Sequence, residues 1–372
     1  MTGDASSWGR RILFEFILLN LIIPLTLAEL GVRYVYTYWK PAYTPVTLRQ
    51  QYIQYDPSIF SQHVISQHES ITDGWGGVSY FINALGYRGP AFKVTKPPHV
   101  TRIVFLGGSS VFDTQADKNE DWPHLIEKRL HEKGYKDIEC INAGVPGHTT
   151  FDLLGRLYSE IYTFQPDYIV VYSEWNDIKY FTSDLTLLRD YKPTQTDYRF
   201  NYYNQTDSLL CEYSQLYTKV RNRYVVGDLD FTTEGTLKTD LIPSSVKPEK
   251  LKQYKLNLEL LVDCARNIHA TPVLVTEAHL PQRNSSPADR KKIGYSAVSL
   301  THEALCEAFE ACDRIVEEVA REKGSPFIDA SKEFSGRSEI FIDHVHLMPS
   351  GSHQLADFLS DQLIGLFTAK EN

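Results

Sequence analysis

The hydrophobic pattern of the chain begins with one long apolar run. Residues 12–28, which read ILFEFILLNLIIPLTLA, are almost wholly apolar and follow Arg10 and Arg11. A membrane-spanning helix needs about 20 apolar residues, and the aromatic turn up to Trp39 brings the run to that length. A helix formed by this run would be apolar on every side, whereas a surface helix of a globular protein is apolar on one face only. The pattern therefore predicts a transmembrane helix within residues 1–40.

Two alternatives to an uncleaved anchor stand beside this prediction: a buried N-terminal helix, and a signal peptide cleaved after Ala28. Glu15 inside the run, and Thr26 at the first position of the small-x-small site, disfavour cleavage. Basic residues flank the cytoplasmic end of membrane helices. Arg10 and Arg11 thus predict a single-pass signal anchor, with the rest of the chain periplasmic or extracellular.

Beyond residue 100 the pattern changes to short β-rich runs that alternate with amphipathic helical runs. Such alternation is typical of a parallel sheet covered by helices on both faces. The predicted strands are 102–106, 138–142, 168–172, 272–276 and 326–328. The predicted helices are 122–133, 150–164, 249–268, 303–323 and 350–368.

Two segments interrupt this alternation. Residues 41–100 have no sustained period and are predicted to form an irregular lead-in that packs on the core. Residues from about 178 to 248 are too long for a simple strand-to-helix loop. Because loops at the carboxyl ends of parallel strands build the binding crevice, this insertion is expected to shape the substrate site.

Charge and cysteine usage exclude several classes of protein. The chain has 38 Lys and Arg against 47 Asp and Glu, a formal charge of −9, whereas a general nucleic-acid binder needs a basic face. The five cysteines form no C-x-x-C pair, which argues against a zinc or redox motif. The glycine-rich turn after the first strand lacks the lysine of a phosphate-binding loop. Neither a cofactor nor a metal ion is predicted.

Polar residues follow the predicted strands at positions that reach one edge of the sheet. The first strand, RIVFLGG, leads to Ser109, the second to the glycine-rich stretch 142–150, and the third to Asn176. Near the C-terminus Asp343 stands three residues before His346. Because the carboxyl ends of parallel strands meet at one edge, these segments are expected to converge. A hydroxyl, backbone donors, an amide and an Asp/His pair are the parts of an acyl-transfer site.

The order Ser, Gly, Asn and Asp-x-x-His resembles the SGNH hydrolase superfamily of GDSL-like lipases and esterases, over about residues 83–367. This resemblance implies a three-layer α/β/α, flavodoxin-like fold for residues 101–372, preceded by the transmembrane helix. It implies Ser109 as the nucleophile, His346 as the general base, and Asp343 as the group that orients it. An oxyanion hole would be formed by the backbone N–H groups of Ser109 and Gly147 and by the Asn176 amide.

The chain departs from the family pattern at Gly108, which stands where the family has the Asp of its Gly-Asp-Ser block. The Gly-Gly-Ser variant resembles a membrane-anchored or exported bacterial branch of the superfamily. Ser110 is the alternative nucleophile, and Gly144 is expected only to shape the turn. Trp175 is predicted to narrow the acyl side of the site and to favour a small acyl group, or alternatively only to pack.

The histidines near the C-terminus raise one further alternative. His344 and His353 are expected to be structural. A metal site at Asp343, His344 and His346 is disfavoured because no fourth ligand is evident in the sequence.

The function expected from these features is a serine-dependent esterase that removes acyl groups, O-acetyl in the first instance, from a carbohydrate or cell-envelope glycan. The same acyl-enzyme would serve an O-acetyltransferase of polysaccharide modification if water were excluded from it. A non-catalytic envelope scaffold with the same fold is the third alternative. The expected partners are the acylated substrate and, through the N-terminal helix, the membrane.

Overall fold

The computed structural model describes residues 13–35, 53–54, 64–65, 70–73, 78–181, 206, 210, 213–221, 246, 248–298 and 300–371. Most of the predicted insertion and of the first half of the lead-in lie outside these residues. The chain divides into two compact units. One comprises Met1–Gln50 with Asp197–Asp228, and the other comprises Gln51–Thr196 with Leu229–Asn372.

The helices and strands of the described residues are numbered in chain order. The helices are α1 (Leu13–Tyr34), α2 (Ser109–Phe112), α3 (Trp122–Glu132), α4 (Thr150–Ser159), α5 (Trp175–Ile178), α6 (Gln215–Arg221), α7 (Pro248–Asn267), α8 (Pro287–Arg290), α9 (Tyr295–Val298), α10 (His302–Lys323), α11 (Ala330–Phe334) and α12 (Pro349–Glu371). The strands are β1 (Ile53–Gln54), β2 (Val64–Ile65), β3 (Ser70–Asp73), β4 (Ser79–Ile82), β5 (Thr101–Gly107), β6 (Ile138–Asn142), β7 (Tyr168–Tyr172), β8 (Thr271–Val275) and β9 (Phe327–Ile328).

In the first unit, α1 is long and apolar enough to cross a membrane, with a mean hydropathy of 1.9 and no buried surface. Its one acidic residue near the C-terminal end, Glu29, accepts hydrogen bonds from the backbone N–H groups of Gln215 and Leu216, at 2.9 and 2.8 Å. These N–H groups begin α6 and have no partner within that helix. The Glu29 carboxylate of α1 therefore caps the N-terminus of α6, the short helix of the insertion.

The second unit is an α/β fold built on a five-stranded parallel sheet. The strand order is β6-β5-β7-β8-β9, and every neighbouring pair is parallel. The central strand β7 reads YIVVY and is buried throughout, as expected of a sheet covered on both faces. Helix α3 packs on α12, whereas α7 packs on both α4 and α10. The five strands and four of the five long helices of this unit agree with the sequence prediction to within a few residues.

The prediction missed the short elements beside the strand ends. The predicted helix 150–164 is divided, because α4 ends at Ser159 and a 3-10 helix follows at Ile161–Phe164. The four-residue helices α2 and α5 begin just after β5 and β7. A helix of about one turn is too short to show helical periodicity. These two short helices carry the polar groups described below.

The end of the lead-in is part of the core. Strands β3 and β4 form an antiparallel hairpin, and Arg88 bridges β4 to the last residue of β6, Asn142. The Arg88 side chain is buried and donates to the backbone carbonyls of Phe112 and Asp113, at 2.7 and 2.8 Å. These carbonyls end α2, so the lead-in holds the loop that follows Ser109.

Candidate active site

The turn between β5 and α2 places Ser109 at the carboxyl edge of the sheet. It depends on two glycines. A Cβ on Gly107 would lie under 3.0 Å from the Tyr172 carbonyl, and one on Gly108 would lie under 3.0 Å from the Asn176 amide nitrogen. Real Cβ atoms essentially never approach a neighbour so closely. The close packing of this turn on β7 and α5 explains why glycine stands at position 108.

Ser109, His346 and Asp343 form a continuous hydrogen-bonded relay. The Ser109 hydroxyl lies 2.7 Å from His346 Nε2, and His346 Nδ1 lies 2.7 Å from Asp343 Oδ2. The second Asp343 oxygen accepts the backbone N–H groups of Val345 and His346, at 3.0 and 2.9 Å. With Nδ1–H donating to the carboxylate, Nε2 is available to accept the hydroxyl proton. The structure thus brings together the three residues predicted as catalytic.

The electrostatics of the relay suit a general base. Burial lowers the pKa of His346, but the adjacent Asp343 carboxylate outweighs it, so the pKa of this imidazole lies above its usual value. Burial alone raises the pKa of Asp343, yet the neighbouring imidazoles of His344 and His346 bring that pKa well below its usual range. Asp343 is therefore ionised at neutral pH, and its charge would stabilise an imidazolium at His346.

The predicted oxyanion donors lie on three neighbouring segments of the same edge. Asn176 is buried in α5, and its Nδ2 donates to the His148 carbonyl at 2.9 Å. In the described part of the chain, no acceptor takes the backbone N–H of Ser109 or of Gly147. Gly147 is exposed and adopts a positive φ of 89°. These are the donors that an oxyanion would need, and their role remains a prediction.

Gly144 has the structural part expected of it. A Cβ at this position would lie under 3.0 Å from the backbone of Val111 and Phe112, so the second loop packs directly on α2. Its N–H donates to the side-chain oxygen of Asn142 at 3.0 Å. Glycine is required here by close approach of the two backbones.

Asp177, next to Asn176, ties α5 to the start of α4. Its two oxygens accept the backbone N–H and the hydroxyl of Thr150, at 3.0 and 2.6 Å. Asn257 of α7 donates in turn to the Thr150 hydroxyl at 2.9 Å. Burial raises the pKa of Asp177 to about 7. Neither Asp177 nor Asn257 was identified from the sequence.

Trp175 is only 3% exposed. Its ring stacks on Phe309, with 6.1 Å between centroids, and lies against His344 at 3.7 Å. Burial lowers the pKa of His344 to about 4, so this imidazole is neutral at pH 7 and packs as an aromatic ring. The packing alternative for Trp175 accounts for its burial, and its predicted effect on the acyl group stays a prediction.

Ser110, the alternative nucleophile, points away from the relay. Its hydroxyl donates to the carboxylate of Glu277, two residues after β8. Among the predicted structural histidines, His353 is half exposed and lies 3.5 Å from Glu120. The Ser109 hydroxyl thus contacts His346, whereas the Ser110 hydroxyl contacts Glu277.

Asp343, His344 and His346 also satisfy the spacing of a metal-ligand group, since one ligand atom of each lies within 4.8 Å of the others. Both ring nitrogens of His346 are already engaged, one with Ser109 and one with Asp343. The serine relay accounts for these contacts without a metal.

No family model matches the sequence, and a search of curated proteins finds no match either. Solved structures similar to the chain include a lipase/acylhydrolase from Enterococcus faecalis, at 17% identity and a TM-score of 0.43, covering 72% of this chain and 96% of that one. Another is an acetylxylan esterase from Geobacillus stearothermophilus, at 16% identity and a TM-score of 0.43, covering 73% and 96%.

A putative acylhydrolase from Bacteroides fragilis, at 13% identity and a TM-score of 0.43, covers 73% of this chain and 90% of its own. At identities of 13–17% and TM-scores of 0.43, these matches carry no argument about the function of this chain. The function proposed below therefore rests on the geometry of the site.

Proposed function

We propose that this protein is a serine-dependent esterase that works through an acyl-enzyme on Ser109. The observation that carries the proposal is the relay from Asp343 through His346 to the Ser109 hydroxyl, with 2.7 Å at both steps. His346 takes the hydroxyl proton as Ser109 attacks the ester carbonyl, and it returns that proton to the leaving alcohol. Water then releases the acyl group by the same steps in reverse order.

The oxyanion of each tetrahedral intermediate is assigned to the N–H groups of Ser109 and Gly147 and to the amide of Asn176. Donors that are fixed before the reaction stabilise the developing charge without reorganisation. Asn176 fits this role because its side chain is buried and held against the His148 carbonyl.

The proposed substrate is a small acyl ester, O-acetyl on a carbohydrate or envelope glycan. Ser109 and His346 are only 8% and 7% exposed, so the ester must reach a recessed hydroxyl, and the preference for a small acyl group rests on the predicted effect of Trp175. An acyl-length series tests this point, because p-nitrophenyl acetate should be hydrolysed faster than the octanoate by the detergent-solubilised full chain. Acetylated xylan serves as the glycan substrate, and transfer to a glycan oligomer in preference to water would indicate an acetyltransferase.

The nucleophile is tested with Ser109→Ala and a serine-directed phosphonate. Ester turnover should disappear in Ser109→Ala, because this variant lacks the hydroxyl that lies 2.7 Å from His346 Nε2. Ser110→Ala tests the alternative nucleophile, because its phosphonate adduct should still map to Ser109. Unchanged turnover in Ser109→Ala would refute the assignment, and a chain inert to every ester and to the probe would leave the scaffold alternative.

The proposed location is a single-pass membrane protein with its catalytic domain outside the cytoplasm. Support comes from α1, which is apolar over Leu13–Tyr34, and from Arg10 and Arg11 before it in the sequence. Protease protection in membrane vesicles of known orientation tests this topology. A catalytic domain digested only when the cytoplasmic side is exposed would reverse the assignment.

A further inference from the structure

Glu277 is a buried carboxyl group at the edge of the sheet where the candidate active site lies. It follows β8 by two residues, and β8 pairs with the strand that leads to Asn176. Its side chain is only 2% exposed. The proposed relay and oxyanion hole make no use of it, and a buried carboxyl needs a reason to be there because its desolvation is costly.

The Glu277 carboxylate accepts three hydrogen bonds from the two loops that carry the reacting groups. Oε2 accepts the backbone N–H groups of Glu174 and Trp175, at 2.6 and 2.8 Å. Oε1 accepts the hydroxyl of Ser110. The two N–H groups open α5 and have no partner within it, so Glu277 caps the helix that presents Asn176.

The arrangement is reciprocal. The backbone N–H of Glu277 donates to Glu174 Oε1 at 3.1 Å, so the ends of β7 and β8 hold each other by two carboxyl groups. Ser110 and Trp175 are the direct chain neighbours of Ser109 and Asn176. A single carboxylate therefore joins the residue beside the nucleophile to the residue beside the oxyanion donor.

We propose that Glu277 is a positioning residue, which fixes the Asn176 amide relative to the Ser109 hydroxyl by tying α5 and α2 to the end of β8. This inference rests on the proposed esterase function. Glu277 hydrogen-bonds Ser110 and Trp175, the chain neighbours of Ser109 and Asn176, and it acts through them. Productive geometry of such sites must be held within about 0.5 Å.

A second consequence is electrostatic. Burial raises the pKa of Glu277, while the donors from Ser110, Trp175 and Glu174 favour its ionised form. The pKa of Glu277 is raised overall. In its ionised form Glu277 contributes to the raised pKa of His346, together with Asp343 and against Lys179. The other titratable groups that face Glu277 are Tyr172, Glu174, Asp177, Tyr254 and Cys312.

The test uses Glu277→Ala and Glu277→Gln in the detergent-solubilised full chain, with p-nitrophenyl acetate as substrate. Glu277→Ala should lower kcat about 100-fold while KM changes by less than about threefold. The reason is that a displaced Asn176 amide stabilises the transition state less well. Glu277→Gln retains an oxygen for the two N–H groups of α5 and should recover most of the loss. In both variants the acid limb of the kcat/KM profile should move to lower pH, since the charge that raises the pKa of His346 is gone.

Glu127→Ala is the matched control. Glu127 also accepts a backbone N–H of the sheet, that of Cys140 at 2.6 Å, but it lies on α3 away from the relay. This variant should leave kcat and the acid limb unchanged. A loss of kcat in Glu127→Ala equal to that of Glu277→Ala, with no shift of the acid limb, would overturn the positioning role.

The outcomes separate this inference from the proposed function. If Glu277→Gln and Glu277→Ala, both folded by circular dichroism, keep the wild-type kcat and acid limb, Glu277 has no positioning role and the esterase stands. If Glu277→Ala does not fold, Glu277→Gln provides the test. An acid limb of kcat/KM that stays at the wild-type pH in Glu277→Gln would refute the role proposed for Glu277. If the wild-type chain neither hydrolyses the ester nor takes a phosphonate at Ser109, the proposed function itself is wrong.

Discussion

Gly108→Ala is a one-carbon change that reports directly on the Asn176 amide. The backbone at Gly108 has φ −87° and ψ −145°, so an alanine meets no left-handed strain there. The added Cβ would instead lie under 3.0 Å from Asn176 Nδ2, with the His148 carbonyl next at 3.4 Å. The perturbation therefore falls on the predicted oxyanion donor and leaves the relay residues untouched.

The size of the effect follows from how far the amide must move. Ordinary Cβ contacts lie at 3.4–4 Å, so Asn176 must retreat by about 1 Å, beyond the tolerance of a preorganised site. Removing one oxyanion donor costs about 10²–10³ in kcat, or about 2.7–4 kcal/mol. We expect Gly108→Ala to lose about 10²-fold in kcat, and no more than Asn176→Ala loses.

A double-mutant cycle on p-nitrophenyl acetate separates this cause from general damage. In the Asn176→Ala background the new Cβ has room, so adding Gly108→Ala should cost little further activity. Gly365→Ala is the control, because a Cβ there meets nothing within 4 Å. Equal losses from Gly108→Ala in the wild-type and Asn176→Ala backgrounds would refute the reasoning, since the effect would then bypass the amide.

Two further predictions concern the charge of the relay and the support of the nucleophile loop. Asp343→Asn should lower the kcat plateau about 10⁴-fold through the wrong His346 tautomer. Because activity needs neutral His346 and Asp343 raises its pKa, the acid limb of kcat/KM should also move to lower pH; an unmoved limb would place the orienting charge elsewhere. Arg88→Ala should lower the free energy of unfolding, measured in urea, by about 3–5 kcal/mol, because it removes the buried cation that pairs with Asp121 and donates to the carbonyls at the end of α2. Exposed Arg337→Ala should change stability by less than about 1 kcal/mol, and equal losses would contradict the special place of Arg88.

Hydrophobic period alone predicts the sheet and its covering helices. Strands such as β7 are continuous apolar runs, and helices such as α10 carry a clear apolar face between Thr301, whose side chain caps the helix, and Gly324 in the left-handed conformation. These signals are local, so a single sequence contains them. The convergence of Ser109, Asn176 and the Asp343–His346 pair also follows, because the topology of a parallel sheet places strand ends at one edge.

The contacts that hold the site in place join residues far apart in the chain, so the sequence alone does not predict them. Arg88 reaches Phe112 across 24 residues, and Glu277 reaches Trp175 across 102. One signal for Glu277 was present, since it follows β8 at the same edge as the other polar residues. Nothing in the spacing of Asp177 and Thr150 shows that they bond, because that contact depends on how α4 and α5 pack.

The dependence of the nucleophile loop on Arg88 changes what counts as the catalytic unit. By strand pattern alone the α/β domain begins at residue 101, with β5. Yet the guanidinium of Arg88 donates to four carbonyls at the end of α2 and in the loop that follows, those of Phe112, Asp113, Ala116 and Asp117. Buried carbonyls without donors cost free energy, so a chain cut before β5 would lose the fixed position of Ser109 even if the sheet formed. The lead-in is thus part of the site, although it supplies no reacting group.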